Sequence, residues 1–385
     1  MTGETGAAAP PALAGVAAVL ANGLAEGVAP ALAAEAWLGG RPVHRSHHGT
    51  IPAGALAGPG ARPLLPGDRF DVASLTKVLC TTTLAAQAVA EGRLELDVPA
   101  ARWLPGFEAA GKAAVTVRQL LAHSSGLPWW RPWHALAAPA GRRDQGREAV
   151  VAALLAEPLE APPGARTVYS DPGFIALGLV VEAALGDRLP ALFAARVARP
   201  LGLRATGFGP ASRARGAGPF AAAPTRFSQA RGRVARGEVD DDAAWAMGGA
   251  AGHAGLFSTA AEVAAVGQAW LDALAGRPSI VPAEAARSFA VRAGPGSFRA
   301  LGWDTRSPEG STLGRWLGRG PRGALGHLGF TGCSLWLDLD AGLVAVLLTN
   351  HVQPGALRPE AINGLRRAFH DGVARALELD QDPAP

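Results

Sequence analysis

Apolar positions along the chain follow two periods, and the period changes with position. Ala7 to Leu20 reads as an amphipathic first helix. Val28 to Leu38 and Pro42 to His48 flank Gly39-Gly40, the short glycine turn expected of a β-hairpin. From Ser74, the residues Leu75, Val78, Leu79, Thr82, Ala86 and Val89 recur at helical spacing up to Gly92, which puts Ser74 at or near a helix N-terminus. Further helical stripes run through Val115 to Leu121, Ala149 to Leu155, Phe174 to Leu185 and Ala261 to Leu274. Between Gly209 and Gly237 no period is visible, and an irregular stretch of that size is usually a functional or mobile loop. Ser334 to Leu339 alternates and Leu343 to Thr349 is continuously apolar, with Asp340-Ala-Gly342 between them, so a second hairpin is predicted, central in a sheet. Ile362, Leu365, Phe369, Val373 and Leu377 mark a closing helix. Strands at both ends and helices between them predict an α/β fold of the α+β sandwich kind. Its antiparallel sheet is flanked by the N- and C-terminal helices and carries a mostly helical insertion. One domain spans 1–385, with 1–70 and 290–385 forming the sheet lobe and 71–289 the helical lobe.

Composition narrows the classes. With 49% hydrophobic residues in 385, the chain can bury a large core, which excludes a disordered or fibrous protein. The pI near 9.8 would suit nucleic acid, yet the net charge is only +4 and arginines alternate with acids and glycine throughout. The densest basic stretch, 204–236, lacks the aromatic interleaving of a single-strand binder, so no nucleic-acid partner is expected. No apolar run approaches ~18 residues without charge or proline, and no membrane role is expected either. The opening Met-Thr-Gly-Glu is acidic where an export signal would be basic, and Cys80 and Cys333 fit small core residues better than a disulfide framework. Cytoplasmic residence is the expectation.

The candidate chemistry rests on scarcity. The chain has one tyrosine, Tyr169, which opens Tyr-Ser-Asp171, and two lysines, one of which closes Ser74-Leu-Thr-Lys77. By usage alone, a lone Tyr would head Tyr-Ser-Asp/Asn roughly once in 500 trials, so the triplet carries weight that Ser-x-x-Lys by itself does not. Arginine holds its proton near neutral pH, so a base here has to be lysine. A serine hydroxyl becomes a nucleophile when a neighbour takes its proton, and a lysine one turn away can do so if its pKa falls towards ~7–8. Tyr169 is the natural third member, able to pass the serine proton to the leaving group and later to activate water.

These residues resemble the serine β-lactamase and penicillin-binding protein superfamily, in particular its class C-like branch with its carboxylesterases. Leu121-Ala-His-Ser-Ser-Gly-Leu-Pro128, Gly252-His-Ala-Gly-Leu-Phe-Ser-Thr259 and Gly326-His-Leu-Gly-Phe-Thr-Gly332 are similar to recurrent segments of that group and stand in its order. The resemblance runs from about residue 28 to 375. It implies a serine hydrolase working through an acyl-enzyme, with Ser74, Lys77 and Tyr169 catalytic and no cofactor. His327-Leu328-Gly329 stands where the family has Lys/His-Thr-Gly, which implies an oxyanion hole of the Ser74 and Phe330 N–H groups. A shifted register, Phe330-Thr331-Gly332, would lose the histidine. Leu328 replaces the threonine that helps hold a carboxylate. Asp171 replaces a frequent asparagine and can only accept hydrogen bonds, though it could pair with Lys77. Both departures favour a small-molecule ester, or a different amide, over a β-lactam or D,D-peptide. The alternatives are an acyltransferase using the same acyl-enzyme, a class C-like β-lactamase or D-amino-acid peptidase, and an inert penicillin-binding-like sensor.

Of the other marked residues, His327 is expected on the active-site wall with Gly329 and Asp171. His253 and His123 are expected to hold turns. His44 and His48 on a strand would lie ~13 Å apart, too far to share an ion, so no metal is expected. Asp240-Asp241-Asp242 reads first as a solvated loop, with Asp240 or Asp241 lining the cleft as the alternative. Trp129, Trp130 and Trp133 cannot all point inward beside Pro128 and Pro132, and Trp130 and Trp133 are the candidates for a substrate wall.

Overall fold

The computed structural model describes residues 13–52, 61–137, 143–209, 222–294, 297–307, 311–353 and 357–381. The predicted first hairpin is formed by Ala31–Leu38 and Arg41–Ile51. Gly39 and Gly40 turn it with φ of 58° and 80°, the pair of positive angles that a two-residue turn matching strand twist requires.

Seven strands form one antiparallel sheet in the spatial order Arg62–Pro63, Arg41–Ile51, Ala31–Leu38, Leu343–Thr349, Ser334–Asp338, Ala324–Leu328 and Asp304–Thr305. Leu343–Thr349 is therefore the middle strand, and all its residues are buried. A strand covered on both faces has no polar side to present, which explains its unbroken apolar run. Ala14–Ala25 and Pro359–Ala376 pack together over one face, with Val16, Leu20, Phe369 and Val373 set against Leu32, Ala34 and Leu347.

The opposite face corrects the predicted lobe boundary. Ala260–Leu274, assigned with the helical lobe by its place in the chain, lies on the sheet against Ala31–Leu38, Ser334–Asp338 and Leu343–Thr349. Gly267 lets it come close, since a Cβ there would sit 2.9 Å from Leu337 Cδ2 and 3.0 Å from Val344 Cγ1. The chain runs as a helix from 75 to 90 under this layer, with a π-helical stretch at Lys77–Thr82 whose residues are all buried. Part of the aperiodic 209–237 stretch lies outside the described residues. Its described part contains a small ribbon, Phe227–Ser228 paired with Arg233–Val234.

Candidate active site

Ser74 stands at the entry to that helix, held there by an uncommon backbone turn. Ala73 has φ of 48°, a conformation that costs a residue with a Cβ, and its N–H donates to Asp71 Oδ1 at 2.8 Å. One turn on, Lys77 is fully buried and donates to Ser74 Oγ at 3.0 Å, Asp171 Oδ1 at 2.7 Å and the His253 carbonyl at 3.3 Å. Those three bonds use all the donors of an ammonium. Burial pulls the Lys77 pKa down, but the hydrogen-bonded Asp171 carboxylate and the neighbouring Tyr169 outweigh it and hold it above the ordinary value. The expected drop towards neutrality is thus corrected: the resting lysine is charged because Asp171 stands against it. The other lysine, Lys112, is occupied elsewhere, donating to the carbonyls of Leu155 and Glu157 at 3.1 and 2.6 Å.

Tyr169 immediately precedes the N-cap of Asp171–Leu185, where Ser170 Oγ accepts from Gly173 N at 2.9 Å. The cap directs Asp171 inward as the first helical residue. Tyr169 lies against Lys77, its ring centroid 4.7 Å from Nζ; burial raises its pKa, the Lys77 charge opposes this, and the net shift is upward. Its ring lies 4.6 Å from the His123 ring, 5.9 Å from that of His327 and 5.1 Å from Arg299 Cζ. His123 accepts from Ser170 N at 2.9 Å through Nδ1, and burial keeps it well below its usual pKa. It is a neutral brace for the Tyr-Ser-Asp turn, as expected of a turn-holding histidine.

His327 lies on Ala324–Leu328, and its Nδ1–H donates to the Leu328 carbonyl at 2.7 Å. Burial pushes it down to about 4, so above that pH it stands in the site wall as a neutral imidazole, its buried Nε2 without a hydrogen-bond partner among the described residues. Gly329 follows, and a Cβ there would come 2.7 Å from the Val72 carbonyl. Glycine thus lets this strand press against the segment entering Ser74. Among the described residues, neither the Ser74 nor the Phe330 N–H makes a backbone hydrogen bond. The unshifted register therefore brings His327, Gly329 and Phe330 beside Ser74.

These groups line one cavity of about 700 Å³. Trp130 and also Trp129 form part of its wall, whereas Trp133 is only 6% exposed and belongs to the core. That placement corrects Trp133 as a substrate residue: the chain turns between Trp130 and Trp133, and the inward ring is the last of the three. Asp240 and Asp241 also line the cavity, and Asp240 is 2% exposed, which corrects the solvated-loop reading. Asp240 accepts from Arg226 Nε at 3.0 Å, while Asp241 accepts from His253 Nε2 at 2.9 Å and from Ala244 N at 2.7 Å. Burial pushes the Asp241 carboxyl up, but His253 and the backbone donor hold it below its ordinary value. His253 thus holds its turn through Asp241 and offers its carbonyl to Lys77.

Sequence reasoning missed Arg299 and Arg366, two further lining residues. Each is one arginine among many, with no motif around it. Arg299 pairs with Asp304 and, together with Leu328, borders a neighbouring cleft of about 980 Å³. Among the described residues no group of three His, Cys, Asp or Glu could hold a metal ion.

A family model described as Beta-lactamase matches residues 16–368. An Escherichia coli (strain K12) protein, assigned provisionally as a D-alanyl-D-alanine carboxypeptidase, is 30% identical over 74% of this chain and 69% of its own. The N-acetylmuramyl-L-alanine amidase of Bacillus subtilis (strain 168) is 30% identical over 76% and 70%. Among solved structures, EstCE1, a hydrolase with promiscuous acyltransferase activity, is similar with a TM-score of 0.69 and 22% identity, covering 93% of this chain and 98% of its own.

Proposed function

The chain belongs to the Beta-lactamase family of serine hydrolases, and from that premise we propose that it hydrolyses carboxylic esters through an acyl-enzyme on Ser74. The cluster of Ser74 Oγ, Lys77 Nζ, Asp171 and the Tyr169 hydroxyl carries the reading. At rest the lysine is an ammonium and the tyrosine a phenol, so the reactive form is the one in which this pair has lost one proton. Ser74 then passes its proton to Tyr169 as Oγ attacks the ester carbonyl. The Ser74 and Phe330 N–H groups receive the negative oxygen, a role worth several kcal/mol in a dry site. Collapse expels the alcohol, which takes the proton from Tyr169. Water repeats the steps to free the acid and Ser74.

Three features support an ester over a substrate bearing a carboxylate. Leu328 offers no hydroxyl, the neutral His327 brings no positive charge, and Asp171 is occupied by Lys77. Arg226 and Arg299, two of the cations lining the cavity, are paired with Asp240 and Asp304. Transfer of the acyl group to an alcohol would use the same intermediate, and the likeness to EstCE1 makes it the second reading. Two buried, unpaired thiols fit a reducing compartment, and we place the protein in the cytoplasm. No helix among the described residues is long and apolar enough to cross a membrane.

The test is a panel of p-nitrophenyl butyrate, nitrocefin and a D-alanyl-D-alanine peptide, run with and without an added alcohol. Turnover of the ester above the other two is expected, and Ser74→Ala should lower it by at least about 10⁴-fold. Ester turnover that survives Ser74→Ala would exclude the mechanism, and faster turnover of the peptide would exclude the ester preference.

A further inference from the structure

Arg366 belongs to Pro359–Ala376, on the far side of the sheet from Ser74's helix, yet it reaches the cavity. It is only 5% exposed. Its Nη2 donates to the carbonyls of Gly329 and Cys333, each at 2.9 Å, its Nε to that of Gly332 at 3.2 Å, and its Nη1 to Asn363 Oδ1 at 2.9 Å. Among the described residues no carboxylate forms an ion pair with it, though burial lowers its pKa only to about 10 and it stays charged at neutral pH. A buried cation with no counter-ion is costly, and here three of its four hydrogen bonds go to one turn, residues 329–333.

That turn contains the proposed second oxyanion donor. The Gly329 carbonyl and the Phe330 N–H are two ends of one planar peptide unit, which points them in opposite directions. No cis peptide bond occurs among the described residues. Holding the carbonyl oxygen therefore fixes where the N–H points. The Gly332 N–H grips the same oxygen at 2.9 Å, so it is held from two sides. A cation bonded to that oxygen also draws electron density from the amide and makes its N–H a stronger donor.

We propose that Arg366 is a positioning residue for the oxyanion site, aiming and polarising the Phe330 N–H through the Gly329 carbonyl. The inference rests on the acyl-enzyme reading above. A residue acting this way affects the tetrahedral state and not the ground-state complex, which separates it from an arginine that simply binds a substrate anion.

The experiment compares wild type with Arg366→Met, Arg366→Lys and Asn363→Ala, using p-nitrophenyl butyrate for kcat and KM and a phenylboronic acid as a mimic of the tetrahedral adduct. Arg366→Met should lower kcat on the order of 10–100-fold, less than outright loss of an oxyanion donor in the most sensitive enzymes, with KM nearly unchanged. Boronic acid affinity should weaken by the same factor. Arg366→Lys, which keeps the charge and one contact, should fall between, and it decides the question if the methionine variant does not fold. Asn363→Ala, which frees only one guanidinium nitrogen, should show a smaller loss in the same direction. Folded variants with wild-type kcat and boronate affinity, or with a change in KM alone, would overturn the role. Failure of the wild-type protein to form a boronate adduct on Ser74 would instead overturn the acyl-enzyme reading on which it rests.

Discussion

Asp171 sets the proton state in which the site waits. Its carboxylate lies 2.7 Å from Lys77 Nζ and is the leading reason that the lysine pKa stands above normal despite burial. An asparagine there would leave burial in command and lower the lysine pKa. Asp171→Asn should therefore move the rising limb of kcat/KM against pH to lower pH, measured with p-nitrophenyl butyrate. A limb that stays in place would show that Lys77 is not the group being titrated. At this scale, legibility followed rarity. A lone tyrosine and one of two lysines stood out from the sequence, and Ser74, Lys77 and Tyr169 do meet. Arg366 and Arg299 left no trace, because an arginine's partners here are carbonyls and acids that only folding brings near. The tryptophans marked a patch correctly, but which ring faced the cavity depended on turns that the apolar pattern does not encode.

Two elements meet Lys77 with almost no space to spare. Gly178, inside Asp171–Leu185, lies so near Gly252 that a Cβ would come 2.8 Å from the Gly252 Cα. Gly252 carries the carbonyl that accepts from Thr81 Oγ1 at 2.7 Å, and the next carbonyl, that of His253, accepts from Lys77. Gly178→Ala gains up to ~1 kcal/mol of helix propensity but pushes the 252–253 backbone towards the π-helical turn. We expect net destabilisation of about 1–3 kcal/mol in urea unfolding, accompanied by a fall in kcat. An alanine variant as stable and active as wild type would mean that the two segments part freely. The helical period gave Asp171–Leu185 its place in the sequence, since apolar side chains repeat along it. It could not give the contact at Gly178, where the determining feature is a missing side chain.

Across the molecule, Asp71 joins the two layers that build the site. Its carboxylate receives Ala73 N–H and, at 2.5 Å, Asp240 N–H, while its carbonyl receives Thr331 Oγ1 at 2.8 Å. Burial, reinforced by the Asp240 carboxylate, pushes it up to about 7 from a usual 3.8. Between those values the unfolded chain has released the proton and the folded chain still holds it, so this residue's contribution to stability falls as pH rises. Above about 7 both states are ionised and the dependence ends. The Tm of wild type relative to Asp71→Asn should therefore fall from about pH 4 to 7 and level off beyond. A difference that does not vary with pH would place the Asp71 pKa near its usual value. The layout itself was legible, because two hairpins far apart in sequence and a continuously apolar strand imply a sheet made from both ends. The side of the boundary to which Ala260–Leu274 belongs was not, because a helix apolar nearly all round gives no sign of whether a sheet or other helices cover it.

That sheet also imposes an order of events on synthesis. Its central pairing joins Ala31–Leu38 to Leu343–Thr349, and the Ala31 N–H reaches an Asn350 oxygen 319 residues away. A ribosome that has delivered Ser74, Lys77 and Tyr169 has yet to deliver Phe330, Arg366 and the strand that fills the sheet's middle. Closing so long a loop is slow, and the early hairpin keeps an open edge while it waits. The nascent chain thus carries the proposed nucleophile for most of its translation without the means to fire it, and the hairpin edge stays open to misassembly from its own synthesis until Leu343–Thr349 arrives.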